Sequence, residues 1–389
     1  MTILRLAVRN LRGAGIRTWL NAFALSLAFV AIIFGQGLLQ GMNRQAEDAS
    51  VAWQYGGGQY RQENYDPHDP LTLEAARAPL PPELRALAEA GRAAPVLIIQ
   101  GSIYPGGRMM PVQVRGIPPD QRVVAIPTAA LAGDGEVLPV LLGARMAQAA
   151  GLEVGDYVTV QWRDARGAFD ARDARVAEVM RTSVETVDKG IVWVPLARLQ
   201  ELTGLADAAT LVTVERGLRR PPAVAGWDFR GPDYLLADLR QMVRSKSAGQ
   251  ALMFGVLFLL AMLAIFDTQL LSVFRRRREI GMLVALGMTR AQVIALFTLE
   301  GALHAVLAAL VGAVYGAPLF ILLGRHGFTV PGGDTWGFAI GERIHPAYTA
   351  GLVLGTTALV FVVATVVAWL PTRRIAKLRP TDALQGRGG

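Results

Sequence analysis

The chain has no cysteine among its 389 residues, which excludes a disulfide-stapled scaffold and a thiolate metal site. Lysine is almost missing too, with only Lys189, Lys246 and Lys377. None of them lies in the G-x-x-x-x-G-K-[ST] pattern of a nucleotide-binding P-loop. The four histidines form no H-E-x-x-H motif, and no serine lies in G-x-S-x-G. The sequence therefore indicates no enzyme, and any ATP hydrolysis belongs to another chain.

Excess positive charge is missing from the middle of the chain and concentrated beside long apolar runs. Residues 44–246 hold 23 Lys and Arg against 25 Asp and Glu, although the whole chain carries a net charge of +8. Of the 16 remaining basic residues, Arg325 and Arg343 share residues 325–347 with Asp334 and Glu342. The other 14 lie in three clusters that flank apolar runs, namely Arg5, Arg9, Arg12, Arg17, Arg275, Arg276, Arg277, Arg278, Arg290, Arg373, Arg374, Lys377, Arg379 and Arg387. Cytoplasmic borders of membrane spans carry this bias. The charge therefore indicates membrane topology and no nucleic-acid partner.

Apolar residues are abundant, at 52% of the chain, and they fall in runs. No charged residue occurs between Arg17 and Arg44, and about 20 apolar residues are enough to cross a bilayer. This run exceeds the 7–15 apolar residues of a signal peptide. We predict an α-helical membrane protein with four transmembrane helices and an α+β extracytoplasmic domain between helices 1 and 2.

The predicted segments follow from these runs and charges. They are an amphipathic interfacial helix at 1–17, spans at 18–42, 250–274, 291–324 and 348–370, a periplasmic α+β domain at 43–249, a cytoplasmic loop at 275–290, a periplasmic loop at 325–347 and a cytoplasmic tail at 371–389. Both chain ends and the 275–290 loop are then cytoplasmic. The even number of spans agrees with the basic bias at both ends.

The large domain reads as mixed strands and helices. A hairpin is predicted with strands at 95–104 and 108–117 around Pro105-Gly106-Gly107. A helix that ends at Gly151 is followed by a strand at 156–162. Further predicted elements are a loop at 53–70, strands at 174–181, 191–195 and 210–215, and a helix at 196–202. The pattern does not fix the order of the strands.

The stretch from Phe274 to Phe297 has the richest pattern. Four arginines precede Glu279 and a short helix whose apolar residues include Ile280 and Leu286. Gly287 suits the residue after a helix end, where φ is positive. Thr289 and Gln292 form the T-x-x-Q pattern of a capping box, which starts a new helix. A short helix between two spans is well placed to pass on a push, although arginines beside a span can also serve topology alone.

Two carboxylates fall inside apolar runs. At ~1.5 Å per helical residue, Asp267 lies ~12 Å before Arg275 and Glu300 lies ~15 Å after Arg290. Both are therefore expected in the cytoplasmic half of the membrane, lining the helix bundle, because intramembrane carboxylates are costly elsewhere. His304 follows Glu300 by one turn and is a candidate partner for it. A structural hydrogen-bonded role and a proton relay are both open.

Several segments also resemble a known family. Residues 277–303 read RREIGMLVALGMTRAQVIALFTLEGAL and resemble the second cytoplasmic loop of ABC-transporter permeases of the MacB/FtsX/LolC–LolE superfamily. The segments VRGIPPDQ and LLGARMAQAAGLEVGDYVTV resemble the periplasmic domain of lipoprotein-release permeases. The closing stretch LPTRRIAKLRPTDALQ resembles the end of the same proteins.

This resemblance implies a mechanotransmission permease of the bacterial inner membrane. In the family, the short loop helix is a coupling helix that docks on a cytoplasmic ABC ATPase, which binds ATP and Mg²⁺. The residues that the resemblance assigns to coupling are Arg278, Glu279, Ile280, Gly281, Met282, Leu283, Ala285, Leu286 and Gly287. Two permease copies or paralogues pair among membrane lipids and relay motion to their outer domains. A lipoprotein or other lipid-linked cargo is expected.

Three other functions remain open on the sequence. A drug or peptide efflux permease of the same superfamily would share the loop helix. A division-type regulator of a cell-wall hydrolase would share it too, although its outer domain is typically smaller than the 200 residues here. A membrane-anchored sensor would have no ATPase at all. Co-purification of a P-loop partner separates the sensor from the others.

Overall fold

The computed structural model describes residues 2–13, 15–133, 135–218, 221–328 and 343–375. The chain divides into two compact units. One, here called the helical unit, comprises Met1–Asn43, Val243–Val330 and Arg343–Gly389, and the other, here called the sheet unit, contains Arg44–Met242. Most of the predicted closing motif, residues 376–389, and most of the predicted periplasmic loop, residues 329–342, lie outside the described residues.

The described residues form the following helices and strands. The helices are α1 (Thr2–Gly13), α2 (Ile16–Ser50), α3 (Pro82–Glu89), α4 (Ala144–Ala150), α5 (Glu185–Asp188), α6 (Leu196–Thr203), α7 (Pro232–Leu235), α8 (Ala237–Arg275), α9 (Arg277–Ala285), α10 (Arg290–His326) and α11 (Ala350–Ile375). The strands are β1 (Gln59–Gln62), β2 (Ala78–Pro79), β3 (Ala93–Ile103), β4 (Met110–Ile117), β5 (Leu138–Gly143), β6 (Tyr157–Arg163), β7 (Phe169–Met180), β8 (Ile191–Pro195), β9 (Ala208–Ala209), β10 (Leu211–Val214) and β11 (Trp227–Arg230).

A nine-stranded sheet organises the sheet unit, in the order β11-β1-β10-β3-β4-β8-β5-β7-β6. The long strand β3 belongs to two parts of it. Residues 93–96 pair with β10, whereas residues 97–103 pair with β4. Residues 101–103 also pair with β6, so the strands from β3 to β6 close into a barrel. The open part and the barrel agree with an α+β domain that contains two subdomains.

Alternation along β3 supplies two separate cores, because successive side chains point to opposite faces of a strand. Leu97 and Ile99 lie in the barrel core, together with Trp162 from β6. Val96 and Ile98 face the other way and pack in a second core that contains Trp193. Burying side chains of this size contributes about 1.5–3 kcal/mol each. The two cores fix the register of β3, since a slip by one residue would exchange them.

The predicted hairpin and helix ends are present, and two strand predictions need correction. Gly151 ends α4 with φ +66°. Residues 59–62, predicted as loop, form β1, which pairs with both β10 and β11. Pairing on both edges outweighs the weak strand preference of this Gln-rich segment. Strand β7 begins at Phe169, whereas the predicted strand began at residue 174. The first residues of β7 are exposed and show no apolar alternation, so the sequence pattern does not reveal them as strand.

The helical unit is a bundle of α2, α8, α10 and α11. Each of these four helices contributes to one apolar core, which contains Leu25, Met262, Ala305 and Ala364. Among the described residues, three helices are long and apolar enough to cross a membrane: Thr18–Tyr55, Arg290–His326 and Ala350–Arg373. Helix α8 covers the predicted span 250–274. The count of four spans therefore stays a prediction.

Small residues let α2 approach α10 and the segment that precedes α11 closely. A Cβ on Gly316 of α10 would lie 3.0 Å from Val30 of α2. Across the bundle, a Cβ on Gly41 of α2 would lie 2.8 Å from Pro346 Cα and 2.9 Å from Ala347 N. Close approach of this kind is the role of small residues in membrane helices. Neither glycine position therefore leaves room for a larger side chain without a shift of its neighbours.

Candidate coupling site

Helix α9 is a separate short helix because the backbone turns at both of its ends. At Arg276 the backbone leaves the helical region, with φ −97° and ψ 16°. Gly287 takes φ +98°, a conformation that is strained for other residues. Thr289 then accepts a hydrogen bond from Gln292 N and its own N–H donates to the Gln292 side chain, which completes the predicted capping box. The sequence predicted both Gly287 and the capping box correctly.

One face of α9 packs against the beginning of α10. Ile280 is buried with Val293 and Phe297, and Val284 and Met288 pack against the same cluster. Gly281 is buried as well, and Leu283 is half-buried. An apolar cluster of this kind moves as one body, since packed interiors have low compressibility. Helix α9 is therefore attached to α10 along its buried face.

The opposite face of α9 is open to solvent. Met282 is 54% exposed and Leu286 is 78% exposed. Glu279 and Ala285 are also exposed. We call these four residues the coupling face. The side chain of Arg278, which the sequence also assigned to coupling, lies outside what the structure describes.

A polar network fixes the junction that precedes α9. Arg276 Nε donates to Glu279 Oε2 at 2.6 Å, and Arg276 Nη1 donates to Glu300 Oε2 at 2.8 Å. Its guanidinium also lies 4.9 Å from the centre of the Phe297 ring. Asn10 Nδ2 of α1 donates to Glu300 Oε1 at 2.5 Å. We call Asn10, Arg276, Glu279 and Glu300 the hinge network.

Glu300 is the centre of the hinge network and is only 8% exposed. A buried carboxylate is costly unless it is paired and hydrogen-bonded, and here one oxygen faces Asn10 and the other faces Arg276. The network joins α1, the α8–α9 junction and α10 through one side chain. Apolar packing therefore connects α9 to α10, and the network connects the junction before α9 to α10 and α1.

The three polar residues that the sequence singles out in the apolar runs have different surroundings in the structure. Glu300 is buried, whereas Asp267 on α8 is exposed. Of the two carboxylates predicted to line the helix bundle, Glu300 is the one whose side chain is buried in it. The His304 ring contacts the Glu300 backbone oxygen through Nδ1 at 2.8 Å. This backbone contact differs from the expected pairing with the carboxylate.

Asn10 is the member of the site that sequence reasoning missed. It lies 290 residues from Glu300 along the chain, and an asparagine in a basic amphipathic helix has no distinguishing pattern. Arg276 was recognised only as one of four arginines. In the part of the chain that the structure describes, no group of three or more His, Cys, Asp or Glu residues is arranged to hold a metal ion.

Comparison with known proteins finds one family and several relatives. Residues 251–380, which include α9, match the FtsX-like permease C-terminal family. The chain is 26% identical over 264 residues to the lipoprotein-releasing system transmembrane protein LolC of Neisseria meningitidis serogroup B, which covers 60% of this chain and 62% of that protein.

Two macrolide export ATP-binding/permease proteins MacB also match over shorter stretches. The one from Campylobacter fetus subsp. fetus is 31% identical over 118 residues, or 30% of this chain and 16% of that protein. The one from Rhodopirellula baltica is 28% identical over 145 residues, or 37% and 19%. The chain thus spans less than two thirds of each of these relatives.

A solved structure is similar to part of the chain. It is the periplasmic region of MacB from Actinobacillus actinomycetemcomitans, with a TM-score of 0.32 and 12% sequence identity, covering 48% of this chain and 94% of that one. The family match over α8 to α11, with the LolC and MacB relatives, confirms the resemblance noted in the sequence. Residues 251–380 thus match the FtsX-like permease C-terminal family, and stretches of the chain are similar to LolC and MacB proteins.

Proposed function

We propose that the chain is the membrane subunit of an ABC transporter and that α9 is the helix on which a separate ATPase chain docks. The observation that carries this proposal is the coupling face. Met282 and Leu286 are exposed on a nine-residue helix whose other side is packed on α10. Exposed apolar residues rimmed by charge favour a protein partner.

The hinge network gives the docked partner a route into the bundle. A push on Met282 or Leu286 moves Ile280 and the cluster that it shares with Phe297. The same push acts on Glu279, whose carboxylate holds Arg276. Arg276 in turn holds Glu300 of α10. The energy of ATP hydrolysis, supplied by the partner with its bound ATP and Mg²⁺, is thus converted into helix motion.

The proposed assembly follows the charge distribution of the sequence. The chain crosses the bacterial inner membrane four times, with α9 in the cytoplasm and the sheet unit in the periplasm. Two copies of the chain, or this chain and a paralogue, pair in the membrane above two ATPase subunits. ATP-driven closure of the ATPases relays motion through α8 and α2 to the sheet unit.

The proposed cargo is a lipoprotein or another lipid-linked molecule. Support comes from the span of the similarity, which reaches 264 residues for LolC against 118 and 145 for the two MacB proteins. The relative with the longer match is named for lipoprotein release. A drug or peptide cargo is the competing outcome, and release assays with purified lipoprotein distinguish the two.

The experiment that tests ATPase docking compares two sets of changes in the full chain. Met282→Asp with Leu286→Asp places two charges on the coupling face. Leu71→Asp is the control, because Leu71 is 85% exposed and belongs to the sheet unit, whereas α9 belongs to the helical unit. Each protein is purified in mild detergent from its native membranes, and co-purified proteins are identified by mass spectrometry and ATPase assay.

We expect a P-loop ATPase to accompany the wild type and Leu71→Asp in equal amounts. Its yield should fall at least about tenfold with the double variant, which corresponds to about 1.4 kcal/mol of lost binding energy. A wild type that brings no P-loop ATPase contradicts the proposal. So does a double variant that retains the ATPase at the wild-type level.

A further inference from the structure

The sheet unit contains a cavity of about 720 Å³ that the proposed ATPase docking does not use. Its floor is one face of the nine-stranded sheet, formed by residues of β11, β1, β10, β3, β4 and β8. Its walls come from the turn 53–55, the loop 63–68 and residues 234–238 around the start of α8. Cavities of about 300–1,000 Å³ are typical of sites for small organic ligands.

The strand registers show that polar residues share this floor. Gln59 on β1 lies between Arg230 on β11 and Thr213 on β10, and all three line the cavity. Gln113 and Arg115 of β4 are two residues apart and therefore point to the same face. A guanidinium and two amides thus stand on a sheet face that elsewhere carries the second apolar core.

Arg115 is the most unusual group on the floor. It is half-buried on a central strand, beside Ile98 of β3 and Trp193 of β8. Its Nε and Nη2 donate to Gln113 Oε1 at 3.2 and 2.8 Å, and its guanidinium lies 5.6 Å from the centre of the Trp193 ring. Burial lowers the pKa of Arg115, because the protonated form loses its hydration.

Arg61 repeats the same arrangement on β1. Its Nε and Nη2 donate to Gln59 Oε1 at 3.4 and 3.3 Å, and its guanidinium lies 5.7 Å from the centre of the Tyr65 ring. Gln59 itself is only 3% exposed. In both arginines, the glutamine two residues earlier holds the guanidinium with a neutral amide oxygen, which adds no negative charge. Asp228 lies opposite Arg61 in the strand register.

Four acidic residues line the cavity, and two of them have basic partners there. Asp228 pairs with Arg230 at 2.8 Å, and Asp238 lies 3.5 Å from His68. Glu63 and Asp66 are exposed on the loop. Neither Arg61 nor Arg115 forms an ion pair with a carboxylate in the part of the chain that the structure describes. Since a buried charge is costly without a counter-charge, the two arginines are suited to an external anion.

We propose that this cavity binds an organic oxyanion, that is, a carboxylate or phosphate joined to an apolar body. Arg115 and Arg61 hold the oxyanion, because the planar guanidinium fork matches both carboxylate and phosphate. The apolar body lies against Trp53, Tyr65 and Trp193, which line the same cavity. This binding is independent of the proposed ATPase and is tested without it.

The test uses the full chain in detergent and two soluble probes, phenyl phosphate and benzoate. Binding is followed by saturation-transfer NMR. Inorganic phosphate, which lacks the apolar body, and phenol, which lacks the carboxylate or phosphate group, serve as control probes. The variants are Arg115→Gln, Arg61→Gln and Arg115→Lys. Arg172→Gln is the matched control, because Arg172 is exposed on β7 of the same unit and does not line the cavity.

We expect the wild type and Arg172→Gln to bind at least one of the two organic anions with equal Kd. The Kd should rise at least about tenfold in Arg115→Gln and in Arg61→Gln, since a charge-assisted hydrogen bond is lost. Arg115→Lys should bind better than Arg115→Gln. Preference for benzoate or for phenyl phosphate identifies a carboxylate or a phosphate as the natural group.

Three results overturn the proposal. The wild type binds neither organic anion, or Arg115→Gln and Arg61→Gln both bind as tightly as the wild type, or inorganic phosphate and phenol bind as tightly as the organic anions. Thermal unfolding of each variant shows whether the sheet unit is intact. If Arg115→Gln does not fold, the comparison of Arg61→Gln with Arg172→Gln decides.

Discussion

Glu300 shows how one residue can be both costly and useful. A carboxylate inside an apolar helix bundle destabilises the bundle unless its oxygens are satisfied. Here Asn10 satisfies one oxygen and Arg276 the other, with the guanidinium also stacked on Phe297. The arrangement ties the α8–α9 junction to α10. The buried carboxylate therefore helps to fix the position of α9 relative to α10.

Replacing Arg276 tests this balance. Arg276→Met should lower the free energy of unfolding by on the order of 3 kcal/mol, because it leaves Glu300 buried without its counter-charge. Arg276→Met combined with Glu300→Met should recover part of that loss, since the uncompensated carboxylate is then absent. The measurement is the midpoint of thermal unfolding of the full chain in detergent.

Asp267 supplies the control for that experiment. It is also a carboxylate in a long apolar helix, but it is exposed in the chain. Asp267→Asn should therefore leave the midpoint of unfolding unchanged. Equal losses from Asp267→Asn and Arg276→Met would show that the hinge network has no special role.

At the residue scale, local motifs can be predicted from the sequence, whereas contacts between residues far apart along the chain cannot. Gly287 and the capping box of Thr289 and Gln292 are read from six consecutive residues. Glu300 stands out because a charge in an apolar run is rare. Asn10 does not, since only the fold brings it to Glu300.

At the scale of elements, the same small-residue spacing has different roles in different helices. The pair Gly312 and Gly316 of α10 packs on α2, and Gly41 of α2 packs on the backbone around Pro346. For Gly351 and Gly355 of α11, an added Cβ would meet nothing within 4 Å. The spacing of glycines in the sequence does not distinguish these cases. The helix neighbours do.

Alanine substitutions at two of these glycines should have opposite effects. Gly41→Ala should destabilise the bundle by about 1–3 kcal/mol, because its Cβ would overlap backbone atoms that cannot move aside. Gly355→Ala should be neutral or stabilising by up to about 1 kcal/mol, as alanine is the better helix former. The measurement is again thermal unfolding in detergent, and equal effects would contradict the packing described for α2.

The strands illustrate the same division between local pattern and fold. The hairpin of β3 and β4 follows from apolar alternation around a Pro-Gly-Gly turn. The dual role of β3, which pairs with β10 and also closes the barrel with β6, does not. Strand β1 escapes prediction because its pairing with two neighbouring strands, and not its composition, makes it a strand.

At the scale of the whole molecule, charge is the best guide to topology. The basic residues flank apolar runs, whereas residues 44–246 are close to neutral. This distribution leads to the proposal that α9 and both chain ends lie in the cytoplasm and the sheet unit outside it. The family match covers α8 to α11 and is consistent with a membrane permease.

Labelling of single cysteines tests that topology. The chain contains no cysteine, so Leu71→Cys and Leu286→Cys each introduce a unique thiol. Both positions are strongly exposed. A membrane-impermeant maleimide added to spheroplasts should label Leu71→Cys at once and Leu286→Cys only after permeabilisation. Labelling of both positions in intact spheroplasts would contradict the four-span proposal.

The most direct test of the central claim, that α9 receives an ATPase, is cross-linking from the coupling face. Met282→Cys in the cysteine-free chain is treated with a bifunctional maleimide in native membranes, and Leu71→Cys serves as the control. The account predicts an adduct between Met282→Cys and a P-loop ATPase, with none from Leu71→Cys. No ATPase adduct from Met282→Cys, or equal adducts from both positions, would contradict it.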